Sequence, residues 1–219
     1  MDMTPYLQPD FFLDFEHPEV VAYVQAHRGP SSDTIDCAKA LYFAIRDGFR
    51  YNPWEVEPEP EAFRASAVAR RSKARGGHCI DKAVLLVACC RSLGIPGRLH
   101  FANVRNHIGT QELQRLLGTD LLVFHGYAEL YLDGRWVAVT PAFNRELCDH
   151  LGVAPLDFDG CTDSIFQEFD RGGGRFMEYM HDYGAFATIP YDMMVGAWDE
   201  HYSDIMAQGW REVMSKRRG

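Results

Sequence analysis

The segment from Ile80 to Leu93 constrains this chain more than any other, because it reads as a helix with no side left for water. From Ala83 to Cys90 it runs Ala-Val-Leu-Leu-Val-Ala-Cys-Cys without a charge, and a helix that is apolar all round is buried on all sides. Gly94-Ile95-Pro96 ends it with a glycine stop and a following proline. Gly76-Gly77-His78-Cys79 precedes it, a tight glycine turn that delivers Cys79 to the first helical turn. There the free N–H groups create a positive field, an environment that lowers a thiol pKa and favours a thiolate nucleophile. The ordinary fate of a lone cysteine is core filler. A histidine downstream lifts Cys79 above that fate.

Composition narrows the field. The 219 residues, 47% of them hydrophobic, suffice for a real core and for one domain over 1–219. With 22 basic against 31 acidic residues, the net charge of −9 argues against a nucleic-acid binder. The basic runs Arg70 to Arg75 and Lys216-Arg217-Arg218 read as solvated surface. Met1 to Asp10 lacks the charged start and apolar core of a signal peptide, and no apolar run is long enough to span a bilayer. The expectation is a cytoplasmic protein with no membrane partner. Six cysteines then read as free thiols rather than a disulfide framework. Cys79 and Cys89, about 15 Å apart along one helix, cannot bridge. With no C-x-x-C and no His-x-x-x-His, neither metal nor cofactor is expected. Asp157, Asp159 and Asp163 around Gly160 do not keep the spacing of a calcium loop.

Along the chain, Pro18 opens a helix to about His27, and Ser31-Ser32-Asp33 offers caps for a second helix through Cys37, Leu41, Ile45 and Phe49. A loop rich in Glu and Pro follows, then the cysteine helix. Beyond Pro96 the pattern turns to strands: Arg98 to Val104, Leu121 to Leu132 and Arg135 to Thr140, with a short helix over Gln111 to Leu117. Asp133-Gly134 is a two-residue hairpin signal. The last third is expected to return to helix, at Arg145 to His150 and in the Pro190 to Met214 region, with Asp- and Gly-rich loops between. Helices, a strand meander, then helices make an α+β fold.

His125 lies within the long strand, with Val123, Tyr127, Glu129 and Tyr131 expected on its face and Leu122, Phe124, Ala128 and Leu130 on the other. The hairpin turn pairs Leu132 with Arg135, and so Tyr127 with Thr140. Thr140 then sits diagonal to His125 on the same face, about 7–8 Å away. A Cys–His nucleophile uses a third group to orient the imidazole. Thr140 is short for that task. Asn144, four residues on, offers an amide, or equally an N-cap for the next helix.

Gly77-His78-Cys79 with Ala83-Val84-Leu85-Leu86 and Leu93-Gly94-Ile95-Pro96-Gly97-Arg98 resembles the cysteine helix of the transglutaminase-like superfamily. His125-Gly126-Tyr127-Ala128-Glu129-Leu130-Tyr131 with Gly134-Arg135-Trp136-Val137 resembles its histidine hairpin, and Asp33 to Phe49 with Arg50-Tyr51 its lead-in. The resemblance covers roughly residues 31–145. It implies a papain-like α+β core, the cysteine helix packed on an antiparallel sheet, with extra helices at both ends. It also implies Cys-His-Asp chemistry on amide or acyl substrates. The chain departs from the pattern where the family's Asp-Pro falls on Thr140-Pro141.

Other residues complete the candidate site. Trp54 could wall the groove or serve an oxyanion site, and Glu129 reads as a polar residue at the groove edge. The backbone N–H of Cys79 is the best oxyanion donor. His78, adjacent to Cys79 in sequence, is a poor base for it. Three functions remain, in this order: a cysteine hydrolase cleaving an amide or isopeptide bond in a peptide, protein or small amide; acyl transfer to an amine; and a catalytically weakened peptide-binding module, which Thr140 favours. The oligomeric state is not legible.

Overall fold

A computed structural model describes residues 2–54, 56–71, 73–107, 114–115, 117–165, 170–174 and 176–202. Most of the expected helix over 111–117, residues 203–214 of the last expected helix and the basic tail at 216–218 lie outside the described residues. In chain order, α1 (Pro18–His27), α2 (Thr34–Gly48), α3 (Ala65–Ala69) and α4 (Cys79–Ser92) precede β1 (Gly97–Asn106), β2 (Leu121–Leu132) and β3 (Arg135–Val139). Then come α5 (Arg145–Leu151), β4 (Met177–Phe186) and α6 (Tyr191–His201). The strands form one antiparallel sheet in the order β3-β2-β1-β4, so the fold is α+β as expected. Among the described residues, no helix is long and apolar enough to cross a membrane.

The local signals act as anticipated. The Asp33 carboxylate caps α2 by accepting from the N–H groups of Ile35 and Asp36. Asp133 and Gly134 both take positive φ, 47° and 81°, to close the β2–β3 hairpin. Leu132 pairs with Arg135, and the ladder continues to Ala128 with Val139. The glycine turn before Cys79 is clamped to the chain leaving α2: the Gly77 N–H donates to Arg50 O at 3.0 Å, and the Asn52 N–H donates to Gly77 O at 3.1 Å. Gly76 has φ +69°, and a Cβ there would lie 2.1 Å from Arg50 O. Only glycine fits.

One element departs from expectation. Residues 177–186, read as loop between helices, form strand β4 on the sheet edge against β1. Most of its positions are exposed or half-buried, so it carries no alternating apolar face to mark it, and Gly184 weakens the pattern further. Its partner strand, absent from local sequence, supplies the ladder.

Helix α4 is the core. Every residue from Ile80 to Arg91 is buried, including three charges, and each charge is held from outside the helix. Asp81 pairs with the buried Arg71 and accepts from the His78 N–H at 3.1 Å. Lys82 Nζ donates to Arg46 O at 2.9 Å and Ala142 O at 2.7 Å. Arg91 donates to Gly97 O at 2.8 and 3.0 Å, to Gln8 O at 2.6 Å and to Ala187 O at 2.5 Å. These pins join the two ends of the chain and the segment after β3 to one helix.

The sheet meets the start of α4 at Gly126. A Cβ there would lie 3.1 Å from both Ile80 Cγ1 and Phe101 Cε1, and 3.3 Å from Ile80 Cα. Gly126→Ala should therefore cost about 1–3 kcal/mol by overpacking. Asp81→Ala, which strands the Arg71 guanidinium, should cost about 3–5 kcal/mol. Both are read as falls in the urea unfolding midpoint.

Candidate active site

Cys79 is the first residue of α4 and half-buried; of the other cysteines, Cys37, Cys89, Cys90 and Cys148 are buried and Cys161 is exposed. The backbone N–H groups of Gly126, Ile80 and Cys79 itself reach its sulfur. They favour a thiolate, yet burial outweighs them and pushes the thiol up to about 11, with the Asp81 carboxylate adding to the rise. The depressed thiol pKa expected from the helix start is thus overturned. The field of a helix terminus acts on a sulfur that has lost most of its water.

His125, one residue before Gly126, is buried. Burial pulls its pKa down to about 4, and the nearby His78 lowers it further. At neutral pH each group, taken alone, is uncharged. Among the described residues, the Nδ1 atom of His125 has no hydrogen-bond partner, and neither has the Oγ1 of Thr140. Both residues line one small cavity with Ala142, Phe143 and Met177. Thr140 therefore shares a cavity with the imidazole, although the β2–β3 ladder ends one pair short of it, at Ala128 with Val139, and the Thr140 N–H donates to Ser164 O at 2.9 Å.

Asn144 lies elsewhere. Its Oδ1 accepts from the Tyr51 N–H at 3.0 Å. It occupies the N-cap position of α5 without capping through its side chain. Trp54 is half-buried against the main core, and its loop neighbours Tyr51, Pro53 and Val56 face the cavity beside Cys79. Glu129 is held on the sheet face by Arg98 and His100, each at 2.5 Å, and this ion cluster also takes in Asp182, 2.6 Å from His100 Nε2. His78 Nε2 lies 3.2 Å from the Asp81 carboxylate. Among the described residues, no cluster of His, Cys, Asp and Glu could hold a metal ion.

The strand approaching His125 is not regular. Strict alternation runs back from Leu132 to Gly126, but the register with β1 shifts between Ala102 and Val104. Val123 and Phe124 there oppose the single residue Asn103, a β-bulge, with Phe124 at φ 61°. That is an uncommon conformation for a bulky residue. The expected placement of Leu122 on the face opposite His125 therefore fails: Leu122 pairs with Val104 and His125 with Ala102, so one extra residue resets the period and both line one cavity. The bulge is held by side chains: Phe124 N–H to Asn103 Oδ1 at 3.0 Å, Val123 N–H to the Tyr202 hydroxyl at 2.6 Å, and Trp198 Nε1–H to Val123 O at 3.1 Å. The Tyr202 hydroxyl donates in turn to Leu121 O at 2.9 Å.

Cys79 and His125 line a second, larger cavity of about 510 Å³ measured out to its open mouth, together with His78, Tyr51, Leu122, Trp198 and other apolar residues. Trp198 and Tyr202 are site-building residues that the sequence reading missed. Their only signal was the four-residue spacing of Met194, Trp198 and Tyr202 along the last helix. Asp81 and Lys82, two charges inside an apolar run, were visible and were not read as buried.

A family model described as the transglutaminase-like superfamily matches residues 21–141, more than half of the chain. No curated protein matches it significantly. A solved structure from Cytophaga hutchinsonii, provisionally described as a cysteine protease, is 19% identical with a TM-score of 0.47. The match covers 85% of this chain but only 55% of that one. The family match spans the cysteine helix, the histidine hairpin and Thr140 alike, and on its extent this chain belongs to the transglutaminase-like superfamily.

Proposed function

We propose that this protein is a cysteine hydrolase cleaving an amide or isopeptide bond in a peptide, protein or small amide, with Cys79 as nucleophile and His125 as base. The observation that carries the reading is the shared cavity, which Cys79 and His125 both line. As Sγ attacks the carbonyl carbon, the imidazole takes the thiol proton. The oxyanion gathers against the Cys79 N–H at the helix start. The C–N bond then breaks, and the imidazolium returns its proton to the departing amine. Water attacks the thioester with the same imidazole as base, releasing the acid and restoring the thiol.

The resting pair is neutral because burial opposes each charge separately. Proton transfer makes two adjacent opposite charges whose mutual attraction in a dry cavity offsets that opposition. Trp54 and Glu129 enter as outer elements of the groove, one from the loop before α3 and one from the sheet face. Six free thiols support a reducing, cytoplasmic setting. Thr140 in the third position favours a second reading, a catalytically weakened binding module.

Treatment with p-nitrophenyl acetate should place one acetyl group on Cys79, detected by mass spectrometry. Cys79→Ser should abolish it, and His125→Ala should slow it by about 10²–10⁴-fold. The acylation rate should rise with pH as the imidazole loses its proton near 4, then stay level through neutrality. Iodoacetamide alkylation of Cys79, which needs thiolate, should instead climb toward pH 11. A pre-formed ion pair would flatten both profiles above the acid limb, and absence of acylation would favour the binding module.

Thr140→Asp should place a carboxylate beside His125 Nδ1. An anion there favours the imidazolium, so the histidine titration followed by NMR should move up from about 4. Asn144→Ala removes the acceptor for the Tyr51 N–H and should lower stability by about 1 kcal/mol, leaving that titration in place. A titration unmoved by Thr140→Asp, but shifted by Asn144→Ala, would assign the orienting role to Asn144.

A further inference from the structure

The larger cavity is apolar to a degree that the hydrolase reading does not by itself require. Its walls come from three separate parts of the chain: Val56 in the loop before α3, Leu122 and Val123 at the bulge, and Trp198 and Tyr202 at the end of α6. The polar atoms of the two aromatic residues are already engaged. Trp198 Nε1 donates to Val123 O, and the Tyr202 hydroxyl bridges Val123 N and Leu121 O. They therefore offer carbon to an occupant. His78 is bound to Asp81. Among the described residues, no Asp, Glu, Lys or Arg lines the cavity.

We infer that this cavity is a recognition subsite for a large apolar group on the carbonyl side of the scissile bond, so that the preferred substrate is an amide acylated by an aromatic or branched aliphatic residue. The inference deepens the hydrolase reading and rests on it. A charged group seated there would lose its water and find, among the described residues, no Asp, Glu, Lys or Arg to pair with. An aromatic or leucine-sized side chain entering from the mouth would bury its surface against Leu122, Val56 and Trp198. The open mouth admits such a group, and Cys79 at the cavity wall places its carbonyl beside the sulfur.

The test uses chloromethyl ketones of N-acetylated Phe, Leu, Asp and Lys, whose ketone stands where the scissile carbonyl would. Second-order alkylation rates at Cys79 are read by peptide mass spectrometry, with the exposed Cys161 as internal reference. The Phe and Leu reagents should alkylate Cys79 about 10- to 100-fold faster than the Asp and Lys reagents, while Cys161 shows no such order. Val56→Asp and, independently, Leu122→Asp should each reduce that preference at least tenfold. Val56 lies in a loop, so its variant keeps the test open if Leu122→Asp fails to fold. Equal rates for all four reagents would overturn the subsite and leave the hydrolase reading standing. A preference that survives both variants would also overturn it. Alkylation of Cys161 with none at Cys79 would overturn the hydrolase reading itself.

Discussion

Total burial of α4 governs the rest of the molecule. A helix with no face toward water must be enclosed, and its charged residues must then find partners inside the protein or cost several kcal/mol each. Asp81, Lys82 and Arg91 meet that requirement in three directions. Asp81 holds Arg71 and the turn at His78, Lys82 ties the end of α2 to the segment after β3, and Arg91 gathers the carbonyls of Gln8, Gly97 and Ala187. Two of these tethers bear on the site directly. Lys82 is bonded to Ala142, which lines the cavity shared by His125 and Thr140. Asp81 fixes His78 immediately before Cys79.

The sheet contributes precision of another kind. Gly126 lets β2 touch the first turn of α4, and His125 and Cys79 line one cavity there. The bulge at Phe124 sets the strand's path just before that contact, and it is maintained by Asn103 from β1 and by Trp198 and Tyr202 at the end of α6. A positive φ at a bulky residue persists only where its surroundings over-determine it. Residues beyond the family match at 21–141 thus help build the cavity that adjoins the core of the fold.

The electrostatics of the site follow from dryness more than from the helix terminus. Three backbone N–H groups aim at the sulfur, an arrangement that lowers a thiol pKa in a wetter setting, yet burial carries it to about 11 and carries His125 to about 4. The same exclusion of water strengthens any charge pair formed within the cavity. Among the described residues no carboxylate acts on the imidazole to favour its charged form, so each group, taken alone, is uncharged at neutral pH.

Much of this was legible in the sequence, because the signals were local. An apolar run without charges can only be a buried helix. Gly76 and Gly77 can only be a turn. Asp133-Gly134 fixes the hairpin register that puts Thr140 near His125. What tertiary structure alone decided was whatever depends on partners distant in the chain. β4 has no apolar face of its own and becomes a strand because β1 offers an edge. The face order along β2 breaks at Phe124 because Asn103, Trp198 and Tyr202 capture an extra residue there. The charge state of Cys79 turned on how much water reaches it, a property of packing that no spacing of residues records.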